Sequence, residues 1–282
     1  RQAFTQQQAQ LVIVHKPIDA ALARAALPLH CKLVLILHSY TAAGINAADV
    51  LICVSPVLAD FARQQGYTGA LEVIPNLVEL SPIEPVARAP QAVPVIATMG
   101  ILRRTKGQDI LLQAAAILRG RNLEFKLVIA GKGRWHRKVN QWIQQLDLSS
   151  VTQRLDWVSN QDRDEFIDAV DIFCLPSRNE TFGMVVIEAM ARKRLVVATR
   201  CGGPQGIIED QKNGFLCDID AQSLADTLAQ AMALNADHYR AMCEAAYVTT
   251  KHHYSPTTVR QKIAAMIELH IKPPMADELD QH

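Results

Sequence analysis

The chain carries almost no net charge. Across 282 residues, 29 Lys and Arg stand against 28 Asp and Glu, a balance of +1, and neither the first third nor the remainder departs from neutrality. A protein whose main task is to hold nucleic acid would show a basic excess, so that class is set aside, and no charged arm is present. Long apolar runs are lacking as well. Nothing approaches the ~18 residues that cross a bilayer; the nearest, Lys32 to His38, is strand-sized. No secretory leader pattern opens the sequence. The six cysteines, at 31, 53, 174, 201, 217 and 243, form no C-x-x-C pair, which argues against a clustered metal site. Cys53 in LICV and Cys174 in IFCLP sit inside apolar runs, where a thiol packs as a small hydrophobe. From these absences a reducing cytoplasm is the expected setting, and no metal site is expected. The first residue is Arg1 rather than Met, so an upstream start is expected.

What is present is a soluble, core-forming composition: 49% hydrophobic and 20% charged residues. The length is about twice the ~150-residue prior for one domain. Short apolar runs alternate with helical-period segments. Val12–Val14, Lys32–Leu37, Val50–Val54 and Leu71–Ile74 read as strands, with amphipathic Ala20–Ala26 and Pro56–Gln65 between them. A second series follows: Val95–Met99, Lys126–Ala130, Arg154–Val158, Asp171–Leu175, Leu195–Thr199 and Phe215–Cys217. Between these lie helices at Gln108–Leu118, Arg134–Leu146, Gln161–Ala169, Met184–Ala191 and Ala221–Ala233. Such alternation predicts parallel sheets covered by helices on both faces. The proline-rich, aperiodic stretch across 75–94 reads as an interdomain linker with few contacts. The expected domains are 1–85, with only about four strands and therefore incomplete, and 86–255. The last helices, Ala236–Thr249 and Ser255–Ile271, are expected to run past the second sheet and to pack back toward the first domain. The segment 256–282 is thus a returning helix followed by a disordered PPMADELDQH tail.

The strongest chemical signal is PSRNETFGMVVIEAM, Pro176 to Met190. It begins where a strand should end, the edge at which open α/β sheets bind ligands. Gly183 lets backbone approach a ligand, and the N–H groups of Met184 and Val185 open a helix, an arrangement suited to phosphate. Glu188, in the second helical turn, is placed to accept from a ribose diol; Glu180 faces the other side. The plainer alternative is that Glu180 is solvated and Glu188 pairs with a neighbouring base. In MGILRRTKGQD, Arg103, Arg104 and Lys106 gather between Gly100 and Gly107, a cluster able to neutralise a diphosphate, although a solvated basic loop gives the same pattern. It lacks the G-x-x-x-x-G-K-[ST] of a phosphate loop. The Gly131-Lys132-Gly133 turn lacks the third glycine of a dinucleotide fingerprint, and Gly202-Gly203 forms another turn past a strand. His38 ends its strand, where a structural role is the simpler reading. Asp218 and Asp220 read as a surface turn.

Taken in order, these motifs resemble the group 1 (family four) glycosyltransferases of the GT-B fold, two doubly wound Rossmann-like domains facing a cleft. The carriers are Gly100 through Lys106-Gly107, Gly131-Lys132-Gly133, Glu180-x7-Glu188 and Gly202-Gly203, with DIFCLPS, FGMVVIEAMA and LVVAT around them. The likeness is close over 95–235 and loose over 10–80. It implies transfer of a sugar, with retention, from a nucleotide diphosphate sugar acting as co-substrate, with no cofactor. The acceptor would be a saccharide or glycolipid, in bacterial surface polysaccharide or glycolipid synthesis, with peripheral membrane contact left open. By the same resemblance Lys106 with Arg103 or Arg104 would hold the diphosphate. Phe182 and the amides of Gly183, Met184 and Val185 would line the phosphate and sugar, Glu188 the ribose, and Glu180 the sugar hydroxyls. His38 would stand beside the transferred sugar. Glu180, Lys106 and His38 are the expected catalytic set.

The sequence departs from the family pattern at Ile101, where Arg is usual, at Thr181, where Gly is common, and in the short span between His38 and Asp49. Trp157 is expected in the core, or else in the nucleobase pocket. Two other readings compete. One is a nucleotide-sugar-binding module without transfer activity; the other is a nucleotide-sugar epimerase. A nicotinamide dehydrogenase ranks below both.

Overall fold

The computed structural model of the chain describes residues 9–28 and 30–271; the PPMADELDQH tail lies outside them. The chain divides into two compact units, residues 1–77 with 256–282, and residues 78–255. In chain order the first unit supplies β1 (Leu11–Val14), α1 (Pro17–Ala26), β2 (Lys32–Leu37), β3 (Val50–Cys53), α2 (Pro56–Gln64) and β4 (Ala70–Val73). The second supplies β5 (Val95–Met99), α3 (Gln108–Gly120), β6 (Lys126–Ala130), α4 (His136–Gln145), β7 (Thr152–Leu155), α5 (Arg163–Asp168) and β8 (Ile172–Leu175). It continues with α6 (Met184–Ala191), β9 (Leu195–Thr199), β10 (Phe215–Cys217), α7 (Ala221–Met232) and α8 (Ala236–His253), after which α9 (Pro256–His270) returns to the first unit.

Among the described residues every strand pair is parallel. Parallel strands bury both faces, which is why VLIC, IFCL and LVVA are unbroken apolar runs rather than alternating ones. The first sheet runs β1-β2-β3-β4 and the second β10-β9-β8-β5-β6-β7. In the first unit α9 covers the sheet. Val259 and Met266 pack with Val34, Val50, Ile52 and Ile74, each apolar side chain so buried contributing about 2 kcal/mol. The end of α9 is fastened by His270, whose Nε2 lies 2.8 Å from Oε1 of Glu72. By contrast α8 stays with the second unit, its Tyr239, Met242 and Cys243 sunk in that core.

That placing of α8 corrects the expectation that both last helices pack back toward the first domain, and two further expectations are corrected. β7 begins at Thr152 and ends at Leu155, not at Arg154–Val158, with Leu127 opposite Thr152 and Ala130 opposite Leu155. The alternation of Leu155 with Trp157 imitates a strand, but the chain has already left the sheet, and Trp157 is 61% exposed. The proline-rich stretch, in turn, is held down rather than free of contacts. Ala87 is buried, Glu84 meets the buried Lys193 at 2.7 Å, and Arg88 lies 3.4 Å from Asp171. Lys193 also reaches Glu244 at 2.8 Å and lies over the ring of Tyr247.

Asp171 is fully buried. One carboxylate oxygen accepts from the Val95 N–H at 2.8 Å and from Gln91 Nε2 at 3.1 Å, so a single residue ties the incoming chain to the roots of β5 and β8. Asp171→Ala takes the acceptor from the Val95 N–H and the Gln91 amide and is expected to destabilise the second unit by about 2 kcal/mol. All three tryptophans, 135, 142 and 157, lie in that unit. Urea unfolding followed by tryptophan fluorescence therefore reports it directly, and an unchanged midpoint would contradict this account.

Candidate functional site

The strands β5 and β8 are hydrogen-bonded neighbours, Ile96 opposite Ile172 and Ala97 opposite Phe173. The strand order reverses between them: β6 and β7 extend one way, β9 and β10 the other. The carboxyl edge at such a reversal is where open α/β sheets take ligands, because the two flanking loops part to opposite faces. Here those loops are 100–107 after β5 and 176–183 after β8. They touch through backbone. Gly107 has φ +66°, and a Cβ there would fall 1.8 Å from the carbonyl oxygen of Pro176. Only glycine meets both conditions.

This contact brings two of the expected residues together. The Lys106 ammonium donates to Oε1 of Glu180, and Ser177 Oγ donates to the same oxygen at 3.0 Å. Glu180 is therefore not simply solvated. Its backbone is held too, its N–H donating to the Cys201 carbonyl at 2.9 Å and its carbonyl accepting from the Gly203 N–H at 2.8 Å. A Cβ on Gly203 would lie 2.3 Å from the Phe182 carbonyl oxygen, so the Gly-Gly loop is a packing requirement of the Glu180 loop. The Gly131–Gly133 turn is similarly fastened to Leu102, whose N–H donates to the Lys132 carbonyl at 2.9 Å. Arg103 and Arg104 are exposed on the same loop as Lys106, and Ile101 is 46% exposed.

From Val186 onward α6 is buried. It follows Gly183, whose φ of +102° turns the chain into the helix, and its opening N–H groups have no intrahelical carbonyl to reach. Phe182 is buried, its ring set edge-on to Tyr254 at 5.7 Å. Glu188 is the one charged residue of α6 and is 8% exposed. A buried carboxylate needs a partner, and it has one: Arg163 Nη1 donates to Oε1 at 2.6 Å. Burial pushes the Glu188 carboxyl above its ordinary range, and Arg163 draws it back. Both line a cavity of about 210 Å³ with Met99, Gly100, Trp157 and Val185. Trp157 thus belongs to the cavity wall rather than the core.

His38 belongs to the first unit, at the end of β2. Its Nε2 lies 3.1 Å from Nδ1 of His15, with the rings stacked at 5.3 Å. Partial desolvation and then His15 push its pKa down, so it is neutral over more of the pH range. Asp220 is the N-cap of α7, accepting from the Ser223 N–H at 2.8 Å.

Three residues joined to these sites are given no role by the sequence pattern: His15, Arg163 and Arg178, the last inside the Pro176–Met190 stretch itself. Arg178 makes a two-pronged ion pair with Asp109, 2.7 Å on each arm. It also donates to the Arg104 carbonyl at 2.9 Å, while its own N–H donates to the Thr105 carbonyl at 2.8 Å. It therefore grips both ends of the turn that carries Lys106.

The family model described as "Glycosyl transferases group 1" matches residues 82–249. The lipopolysaccharide core biosynthesis glycosyltransferase LpsE of Rhizobium meliloti is 31% identical over 193 residues, which is 67% of this chain and 55% of that protein. The chain spans about half the length, or less, of such curated relatives. Among solved structures, sucrose-phosphate synthase of Thermosynechococcus elongatus aligns with a TM-score of 0.84 at 19% identity, over 95% of this chain and 75% of that one. HepE of Anabaena, solved with UDP and glucose, aligns at 0.80 and 21%, over 94% and 79%. Likeness at these identities shows the fold, two Rossmann-like units of the GT-B kind.

Arg178→Ala and Asp109→Ala are each expected to lower the stability of the second unit by about 1–2 kcal/mol, with the double variant costing less than the two together. A double-mutant cycle read by tryptophan fluorescence in urea checks this. Strict additivity would show that the pair does not couple the loops.

Proposed function

The chain belongs to the group 1 glycosyl transferases, and from that premise we propose that its second unit binds a nucleotide diphosphate sugar and serves its transfer, with retention, to a saccharide or glycolipid acceptor. The observation that carries the reading is the joining of Lys106 and Glu180 across the β5–β8 reversal, beside the start of α6. The resemblance of LpsE, named for lipopolysaccharide core biosynthesis, supports an acceptor of the cell-surface kind.

In this reading the diphosphate meets Lys106, with Arg103 and Arg104 on the same exposed turn, and the opening N–H groups of α6. The anomeric C–O bond to phosphate breaks, and negative charge gathers on the departing diphosphate. Cations and N–H dipoles fixed beforehand stabilise that charge without reorganising. The bond to the acceptor oxygen forms on the same face of the sugar, and the acceptor proton passes to the leaving phosphate. Glu180, held by Lys106, Ser177 and two backbone bonds, presents its carboxylate to sugar hydroxyls, and Glu188 faces the ribose. These assignments rest on residues of the second unit alone. His38, which the resemblance sets beside the transferred sugar, is a proposed catalytic residue of the first.

That every residue assigned to the donor lies in the second unit favours a second reading, a donor-binding module without transfer. A thermal-shift panel with UDP, GDP and ADP tests the donor site. A nucleotide at 100 times its dissociation constant stabilises by about 2.7 kcal/mol, and Glu188→Ala is expected to abolish the shift. Lys106→Ala is expected to lower turnover about 10²–10³-fold while leaving the fold intact. Binding without transfer to any acceptor selects the module; no shift with any nucleotide rejects the donor site.

A further inference from the structure

The cavity beside α6 holds one charge that the donor reading does not use. Arg163 comes from α5, a helix whose residues show no ligand-binding pattern in the sequence. It is about one third exposed, and it lines the cavity together with Glu188, Asn160 and Trp157. Its contact with Glu188 is monodentate, Nη1 to Oε1 at 2.6 Å, although a guanidinium can grip both carboxylate oxygens. A two-pronged Arg–carboxylate pair does form nearby, between Arg178 and Asp109.

We propose that Arg163 is the positioning residue of a diol site in this cavity, fixing the Glu188 carboxylate through Oε1 so that Oε2 accepts from the vicinal hydroxyls of a ribonucleoside diphosphate. The inference rests on the donor reading and adds the residue that sets discrimination between ribose and 2′-deoxyribose. A hydroxyl donates more strongly to an ionised carboxylate than to a neutral one. Burial works against ionisation of Glu188, as does the negative charge of Asp164 on α5, while Arg163 favours it. Asn160 and Trp157 contribute no charge, and Glu188 is the only charged residue of α6 itself. With Arg163 gone, the carboxyl keeps its proton to higher pH. The acid side of the pH profile for binding then moves upward.

The test titrates UDP, GDP and ADP, and their 2′-deoxy counterparts, into the full chain by calorimetry across pH 5 to 8. The proteins compared are the natural sequence, Arg163→Met, Arg163→Lys and Glu188→Gln. The natural protein is expected to prefer its ribonucleotide about tenfold or more. Arg163→Met should bring that preference to within about threefold of parity and shift the acid limb upward, and Arg163→Lys should restore most of both. A residue that merely props the fold would weaken both nucleotides equally and leave the ratio unchanged. If Arg163→Met does not fold, Arg163→Gln carries the same comparison. The proposal is overturned, with the donor reading intact, if the Arg163 variants keep the natural preference while Glu188→Gln loses it. Absence of nucleotide binding, or a preference that survives Glu188→Gln, overturns the donor reading and this inference together.

Discussion

The second unit is organised by the adjacency of β5 and β8, strands far apart in sequence whose edges are joined by hydrogen bonds. The order reverses there, and the loops that follow these strands meet backbone to backbone at Gly107 and Pro176 before the chain parts to opposite faces. The approach is too close for any side chain at Gly107. The other turns at this edge follow from it. The Gly131–Gly133 turn locks onto Leu102, the Gly202–Gly203 turn locks onto Glu180 and Phe182, and Arg178 bridges the two central loops. The four glycine turns form one interlocked layer at the edge of the sheet, and the charged residues are mounted on it.

Most of that layer was legible in the sequence, for a physical reason. Parallel strands buried on both faces produce apolar runs that are hard to mistake, and turns in close contact demand glycine, so runs and glycines fall in a fixed order along the chain. The errors arose where that logic does not apply. Trp157 continues the alternation of β7 but stands outside the sheet, because an aromatic that lines a cavity and one that fills a core read alike. The proline-rich stretch resembled a linker, yet Glu84, Arg88 and Gln91 anchor it through partners more than 75 residues away. Arg163, Arg178 and His15 were invisible for the same reason. Ion pairs and ring stacks join residues at no fixed spacing, and only the folded chain shows them.

The buried charges differ in what they do for the molecule. Asp171 accepts from a backbone N–H and a side-chain amide, a structural use that secures the root of the sheet. Lys193 is clasped by two glutamates and a tyrosine ring, holding the incoming stretch against α8. Glu188 is different, for its partner takes only one carboxylate oxygen and both residues border a cavity. Burying a carboxylate costs free energy unless it is compensated. Compensation by a single hydrogen bond leaves acceptor capacity at the cavity wall.

The six cysteines carry a consequence of another kind. All are buried, two in the first unit and four in the second. Burial drives the Cys53, Cys217 and Cys243 thiols up to about 12 and Cys201 up to about 11. The thiolate, the form that reacts with disulfide reagents, is therefore scarce while the fold is closed. Modification then measures how often each unit opens rather than how much thiol lies at its surface. The chain carries its own pair of clocks, Cys31 and Cys53 for one unit and the remaining four for the other. They would register the breathing of each unit separately, without any label being introduced.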